Sequence, residues 1–186
     1  MEWNDKFMQI LNEAVYRYHE QTSHVVKDFF SPDEVEFMAS IGCTPHEMFA
    51  YVKDYATLGD PSPSTILLIA AMRRVFFMKE LRGKAGTTAL LKESEMPREW
   101  EKFHDIAYLP RIICKADAKL HGTLPQNVMY YCAKDREFLR SHGAIPPEDF
   151  LDVVWKARGD KQKVVSYVLR LMKENGDDLP GSQAQG

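Results

Sequence analysis

Along the chain, apolar residues return at intervals of three and four rather than two, and this spacing predicts helix nearly throughout and almost no strand. The breaks follow helical grammar, with Ser or Thr before Pro at starts and Gly at stops. The expected helices cover roughly residues 3–28, 32–40, 45–57, 63–82, 97–104, 110–121, 135–142, 147–157 and 161–174. Two starts carry a full capping box: Ser31-Pro32-Asp33-Glu34 and Thr44-Pro45-His46-Glu47. In each, the hydroxyl and the Glu satisfy amides that the helix leaves open, and Pro fits the first turn. Gly42, Gly83, Gly122 and Gly143 suit helix ends that need a left-handed backbone. The expected fold is all-α, a single compact domain of about nine helices over residues 1–175, followed by a disordered tail at 176–186, "GDDLPGSQAQG".

The pattern also repeats. Glu36, Phe37, Ser40, Gly42, Pro45, Glu47, Phe49 and Val52 recur 101 positions later as Glu137, Phe138, Ser141, Gly143, Pro146, Glu148, Phe150 and Val153. After a one-residue slip, Gly59-Asp60 matches Gly159-Asp160, and each copy runs on into another helix. Two pseudo-repeated three-helix modules are expected, beginning near residues 32 and 135, with the internal repeat at 36–82 and 137–174. The matched residue types pack and turn, so the repeat concerns fold rather than chemistry.

Composition narrows the functional classes. A chain with 45% apolar residues, 27% charged residues and a net charge of -3 lacks the broad basic surface that nonspecific nucleic-acid binding requires. The longest apolar run, "ILLIAAM", falls far short of a bilayer span, and the amino end has no basic stretch leading into an apolar one. Cys43, Cys114 and Cys132 lack the spacing of a zinc site or a disulfide scaffold. These features together give the expectation of a cytoplasmic protein with free thiols, no cofactor, no metal, no nucleic acid and no membrane. Arg73-Arg74 reads as a solvated helix end. Glu101 and His104 have the spacing of a di-metal helix motif, but a second copy is missing.

The stretch "YLPRIICKADAKLHGTLPQNVMYYCAKDREFL" resembles a bacterial family of unknown function, numbered five thousand and sixty-nine among such domains. The resemblance rests on Leu109-Pro110-Arg111, Lys115-Ala116, Lys119-Leu120, Gly122, Tyr130, Cys132 and Asp135, and it spans roughly residues 108–168. Asp117 stands where that pattern has a basic residue. The likeness implies no reaction, cofactor or catalytic residue.

On a helical wheel Arg111, Lys115 and Lys119 follow one another at steps of about 40°, which puts three cations along one edge beside the apolar face of Ile112, Ile113, Ala116 and Leu120. Lys119 suits the helix C-terminus, whereas Arg111 in the first turn is opposed by the helix dipole. No capping side chain immediately precedes Pro110. An arginine beside open amides fits a bound phosphate, sulfate or carboxylate. The competing reading is an internal ion pair of Arg111 with Asp105 or Glu101.

The turn at 130–136 is expected to complete the pocket. Tyr130 would be a wall, Asp135 the N-cap of the next helix, and Arg136 a second clamp. Basic neighbours also favour a thiolate at Cys132, but no positioned base accompanies it, so no catalytic residue is assigned. The expected function is binding of a small anionic ligand by Arg111, Lys115, Tyr130, Cys132, Asp135 and Arg136. The alternatives are an interaction or self-assembly module with Met-rich faces, forming a homo-oligomer or docking another chain, and a thiol enzyme using Cys132.

Overall fold

The computed structural model describes residues 2–22, 25–84, 89–177 and 179–180. The fold is all-α, with helices α1 Trp3–Glu20, α2 Val26–Phe29, α3 Pro32–Ser40, α4 Pro45–Leu58, α5 Pro63–Lys79, α6 Leu109–His121, α7 Ala133–Ser141, α8 Pro147–Ala157 and α9 Lys161–Asn175. The only sheet among the described residues is a two-stranded hairpin of β1 Lys102–Phe103 and β2 Ile106–Ala107. Among those residues, no helix is long and apolar enough to cross a membrane. The chain divides into two compact units, Met1–Thr88 and Ala89–Gly186.

In the first unit α1 packs on α4 and α5, with Phe7, Ile10, Leu11 and Ala14 buried on one face of α1. That helix stops at Glu20, where residue 28 was expected, and Val26–Phe29 forms a separate short turn of helix. Arg17 spans the break, donating to the Phe29 carbonyl at 2.6 Å and to both carboxylate oxygens of Glu34 at 3.1 and 3.3 Å. Glu34 in turn closes the Ser31 capping box, so one carboxylate ties α1 to the start of α3. The Thr44 box also forms as the sequence predicts.

Arg73 is not solvated. It is 4% exposed and lies over the Phe77 ring at 5.2 Å, while Arg74 lies over Trp3 at 5.0 Å. Each guanidinium lies over an aromatic face, and this cation–π contact offsets part of the cost of burying Arg73.

In the second unit α6 packs on α8, and α8 on α9. Most of α6 is buried; its less buried positions, Arg111, Cys114, Asp117 and His121, fall along one side. Lys115 and Lys119 are 3% and 2% exposed, so the expected basic edge of Arg111, Lys115 and Lys119 does not exist. The solvent edge runs along the other side of Arg111.

The helix expected at 97–104 is a hairpin instead. His104 and Asp105 both take left-handed φ, 51° and 60°, forming the two-residue turn that pairs Lys102 with Ala107 and Phe103 with Ile106. Glu101 and His104 therefore never share a helix face. Of the expected tail, Asp178 and residues 181–186 lie outside the described residues, but Gly176 caps α9 and Asp177 accepts a hydrogen bond from the Gly143 amide at 2.8 Å.

The turn glycines at the matched positions behave alike within their own units. A Cβ on Gly42 (φ 75°) would meet Phe77 at 2.7 Å, and one on Gly143 (φ 99°) would meet Leu171 at 2.6 Å. Gly59 and Gly159 also have positive φ, but nothing lies within 4 Å of a Cβ there. Gly42→Ala and Gly143→Ala should each destabilise by about 1–3 kcal/mol more than Gly59→Ala or Gly159→Ala, since only the first two add overpacking to backbone strain. Chemical denaturation of the four variants measures this directly, and equal losses would show that backbone conformation alone matters.

Candidate functional site

Helix α6 begins without a side-chain cap. Tyr108, at the N-cap, takes a left-handed φ of 70°, and its hydroxyl points elsewhere, donating to Asp135 Oδ1 at 2.7 Å. Nearly two turns into α6, Lys115 Nζ donates to Asp135 Oδ2 at 2.5 Å and to Cys132 Sγ at 3.2 Å. The amides of Tyr131 and Cys132 also donate to Asp135 Oδ2, at 2.7 and 3.2 Å. The Asp135 side chain is fully buried and receives all four groups. A buried carboxylate is tolerable only with this kind of coordination, because its loss of hydration must be offset by an ammonium and well-aligned donors.

The N-cap of α7 is Cys132, not Asp135. Asp135 is the third residue of the helix and closes a capping box in which the Cys132 sulfur accepts from the Asp135 amide. The sequence expectation failed because cysteine is not a usual cap; its sulfur here also accepts from the Lys115 ammonium. Tyr131, with φ 67°, makes the bend that turns its own amide and that of Cys132 toward the carboxylate.

Arg136 is 3% exposed and donates to the Tyr131 carbonyl at 2.9 Å, bracing this bend from the far side. Tyr130 is 1% exposed and donates to the Pro147 carbonyl at 2.8 Å. The Tyr108 phenol is pushed far above its ordinary pKa by burial, by the Asp135 charge and by the hydrogen bond it gives to that charge, and it stays a neutral donor.

Five of the six expected ligand residues, Lys115, Tyr130, Cys132, Asp135 and Arg136, are thus engaged with one another or with the backbone inside the protein. Cys132 is half-buried at the edge of this cluster. Arg111 goes elsewhere. Its Nη1 donates to the Pro97 carbonyl at 2.8 Å, and its Nη2 meets Glu93 at 3.4 Å, rather than the Asp105 or Glu101 considered from sequence. The Glu93 side chain is 51% exposed and also accepts from Asn127 at 2.8 Å.

Arg111 borders an open groove of about 380 Å³ whose other walls are Glu93, Ser94, Arg98, Glu99 and Trp100. Trp100 is 75% exposed. Glu99 is ion-paired with Lys134 at 2.6 Å, and that hydrogen bond holds its carboxyl below the usual range. The Arg98 side chain has no acceptor among the described residues. Sequence reasoning missed this 93–100 wall because it placed a helix at 97–104, across the second half of it. The available signal was a tryptophan and an arginine close together in a segment with weak periodicity.

A second hollow of about 370 Å³ opens between α6, α8 and α9 over Ile113, Val154, Ala157 and Val164. Its wall includes Cys114, whose thiol is pushed up by burial and by Asp117. Comparison with protein-family models, curated proteins and solved structures gives no match to this chain, so function must be read from geometry.

Removing one member of the buried cluster strands the others. Asp135→Ala should destabilise the second unit by about 3–5 kcal/mol, the usual cost of breaking a buried pair from one side. The double variant Lys115→Met, Asp135→Leu should lose much less than the sum of the single substitutions. Denaturant unfolding of the set checks this, and simple additivity would mean that the two side chains do not act as a pair.

Proposed function

We propose that the second unit binds a small anionic ligand, phosphate- or carboxylate-bearing, in the groove at the start of α6. The reading differs from the sequence expectation in its residues. Arg111 and Arg98 supply the charge, Ser94 a hydroxyl and Trp100 an aromatic face, while Lys115, Tyr130, Cys132, Asp135 and Arg136 form the support behind them. The observation that carries it is the weak charge pairing of Arg111: Nη1 is held by the Pro97 carbonyl, but Nη2 meets its carboxylate partner only at a distance. A contact of 3.4 Å to a half-exposed glutamate is long for a charge-assisted bond, and a guanidinium that can bind bidentately has more to gain from an incoming anion. Glu93 then acts as an internal competitor that the ligand displaces.

This makes an unusual demand on mutagenesis. Inorganic phosphate, a sugar phosphate and a nucleoside monophosphate should be titrated by calorimetry against the wild type, Arg111→Ala, Arg98→Ala and Glu93→Gln. Binding should fall at least tenfold in either arginine variant and tighten in Glu93→Gln, because a competing carboxylate is gone. No heat with any of the three probes, or weaker binding in Glu93→Gln, overturns the proposal.

A second reading is favoured by α5. Leu68, Val75 and Met78, spaced on one stripe of that helix, are 48%, 37% and 41% exposed, a face suited to another chain or a second copy. Met38, Phe76 and Phe77, by contrast, are buried in the core. Light scattering over a wide concentration range should show association that Val75→Glu abolishes. A monomer throughout removes the self-association form of this reading.

A further inference from the structure

The buried cluster holds a feature that anion binding does not use, a thiol and an amine in direct contact. Cys43 Sγ faces the Thr44 carbonyl at 3.6 Å, and Cys114 lies in an apolar hollow. Cys132 Sγ has the Lys115 ammonium 3.2 Å away, within the range from which bonds form without large rearrangement. That ammonium is held in place by Asp135 Oδ2 at 2.5 Å, so the nitrogen, the sulfur and a proton acceptor are already in order. Water has little access to the amine, since Lys115 is 3% exposed, whereas Cys132 is open enough for a small oxidant.

We propose that Cys132 and Lys115 form a peroxide-driven, thiol-reversible sulfur–nitrogen bridge. In the first step the Cys132 sulfur attacks one oxygen of hydrogen peroxide, the O–O bond breaks, and a sulfenic acid and one water form. Sulfur gives up two electrons and the peroxide takes them. In the second step Lys115 passes one proton to Asp135 Oδ2 and its free amine attacks the sulfenyl sulfur. The S–O bond breaks, and the departing hydroxide takes a second proton from nitrogen and leaves as water. Sulfenic acids condense in this way with a backbone nitrogen to give a sulfenamide, and a free amine is a stronger nucleophile than an amide.

The charge balance favours this site. Lys115 loses its positive charge as Asp135 gains a proton, so the buried pair is neutralised together and neither partner is left ionised alone. The bridge joins α6 to the cap of α7 and keeps the sulfur from oxidation to the sulfinic and sulfonic acids that thiols cannot restore. Neither step involves the Arg111 groove.

The test uses the full chain carrying Cys43→Ser and Cys114→Ser, so that no disulfide can form within one molecule. After treatment with dilute hydrogen peroxide, intact mass spectrometry should show the loss of two hydrogens. Proteolysis should yield a cross-linked pair containing Cys132 and Lys115, and dithiothreitol should restore both. Lys115→Arg keeps a cation beside Asp135 but should not cross-link, accumulating sulfinic and sulfonic acid at Cys132 instead. Over-oxidised Cys132 beside unmodified Lys115 in the Lys115-containing protein, or a thiol that does not react, overturns the proposal. That comparison needs no folded Lys115→Arg.

Discussion

The second unit depends on one carboxylate removed from water. Asp135 has no exposed side-chain surface, and it draws Lys115 and Tyr108 from one helix and two amides from the turn before the next. Each of these groups would be costly to bury alone; together they hold α6 against the cap of α7. The constraint propagates outward. Because Tyr108 must reach Asp135, the chain enters α6 through a left-handed residue, and that entry leaves the next cation, Arg111, beside the 93–100 segment.

Much of the architecture was legible because its causes are local. The Ser31 and Thr44 boxes, the Pro-led starts and the Gly122 stop depend on neighbours three or four residues away, which the sequence displays directly, whereas α5 ends at Lys79, before the expected Gly83. The hairpin at 102–107 was not legible, because its turn uses left-handed His104 and Asp105 where glycine or asparagine would have given notice. The break after Glu20 was equally hidden, since Arg17 bridges it through a partner that lies 17 residues further on.

The candidate site was half legible. Arg111 was identified from its awkward place in the helix dipole, and its surroundings do include open space. Lys115 was assigned to the same face because the wheel puts it about 40° away, but a wheel gives direction and not depth. Its burial was decided by Asp135, 20 residues on, and no periodicity signals a lysine that pairs inward. Tyr130 and Arg136 matter, but to a different audience: both address backbone carbonyls, Tyr130 that of Pro147 at the start of α8 and Arg136 that of Tyr131 in its own turn.

The enclosure of α6 restricts how this protein can diverge. With all but Arg111, Cys114, Asp117 and His121 closely covered, most substitutions along that helix disturb packing or strand a charge. Novelty must therefore arise at its margins, in the 93–100 strand of chain and in those few outward positions, where a changed side chain alters what is met outside without unsettling what is held within. In a lineage of such proteins the helix would be the archive and its borders the workshop.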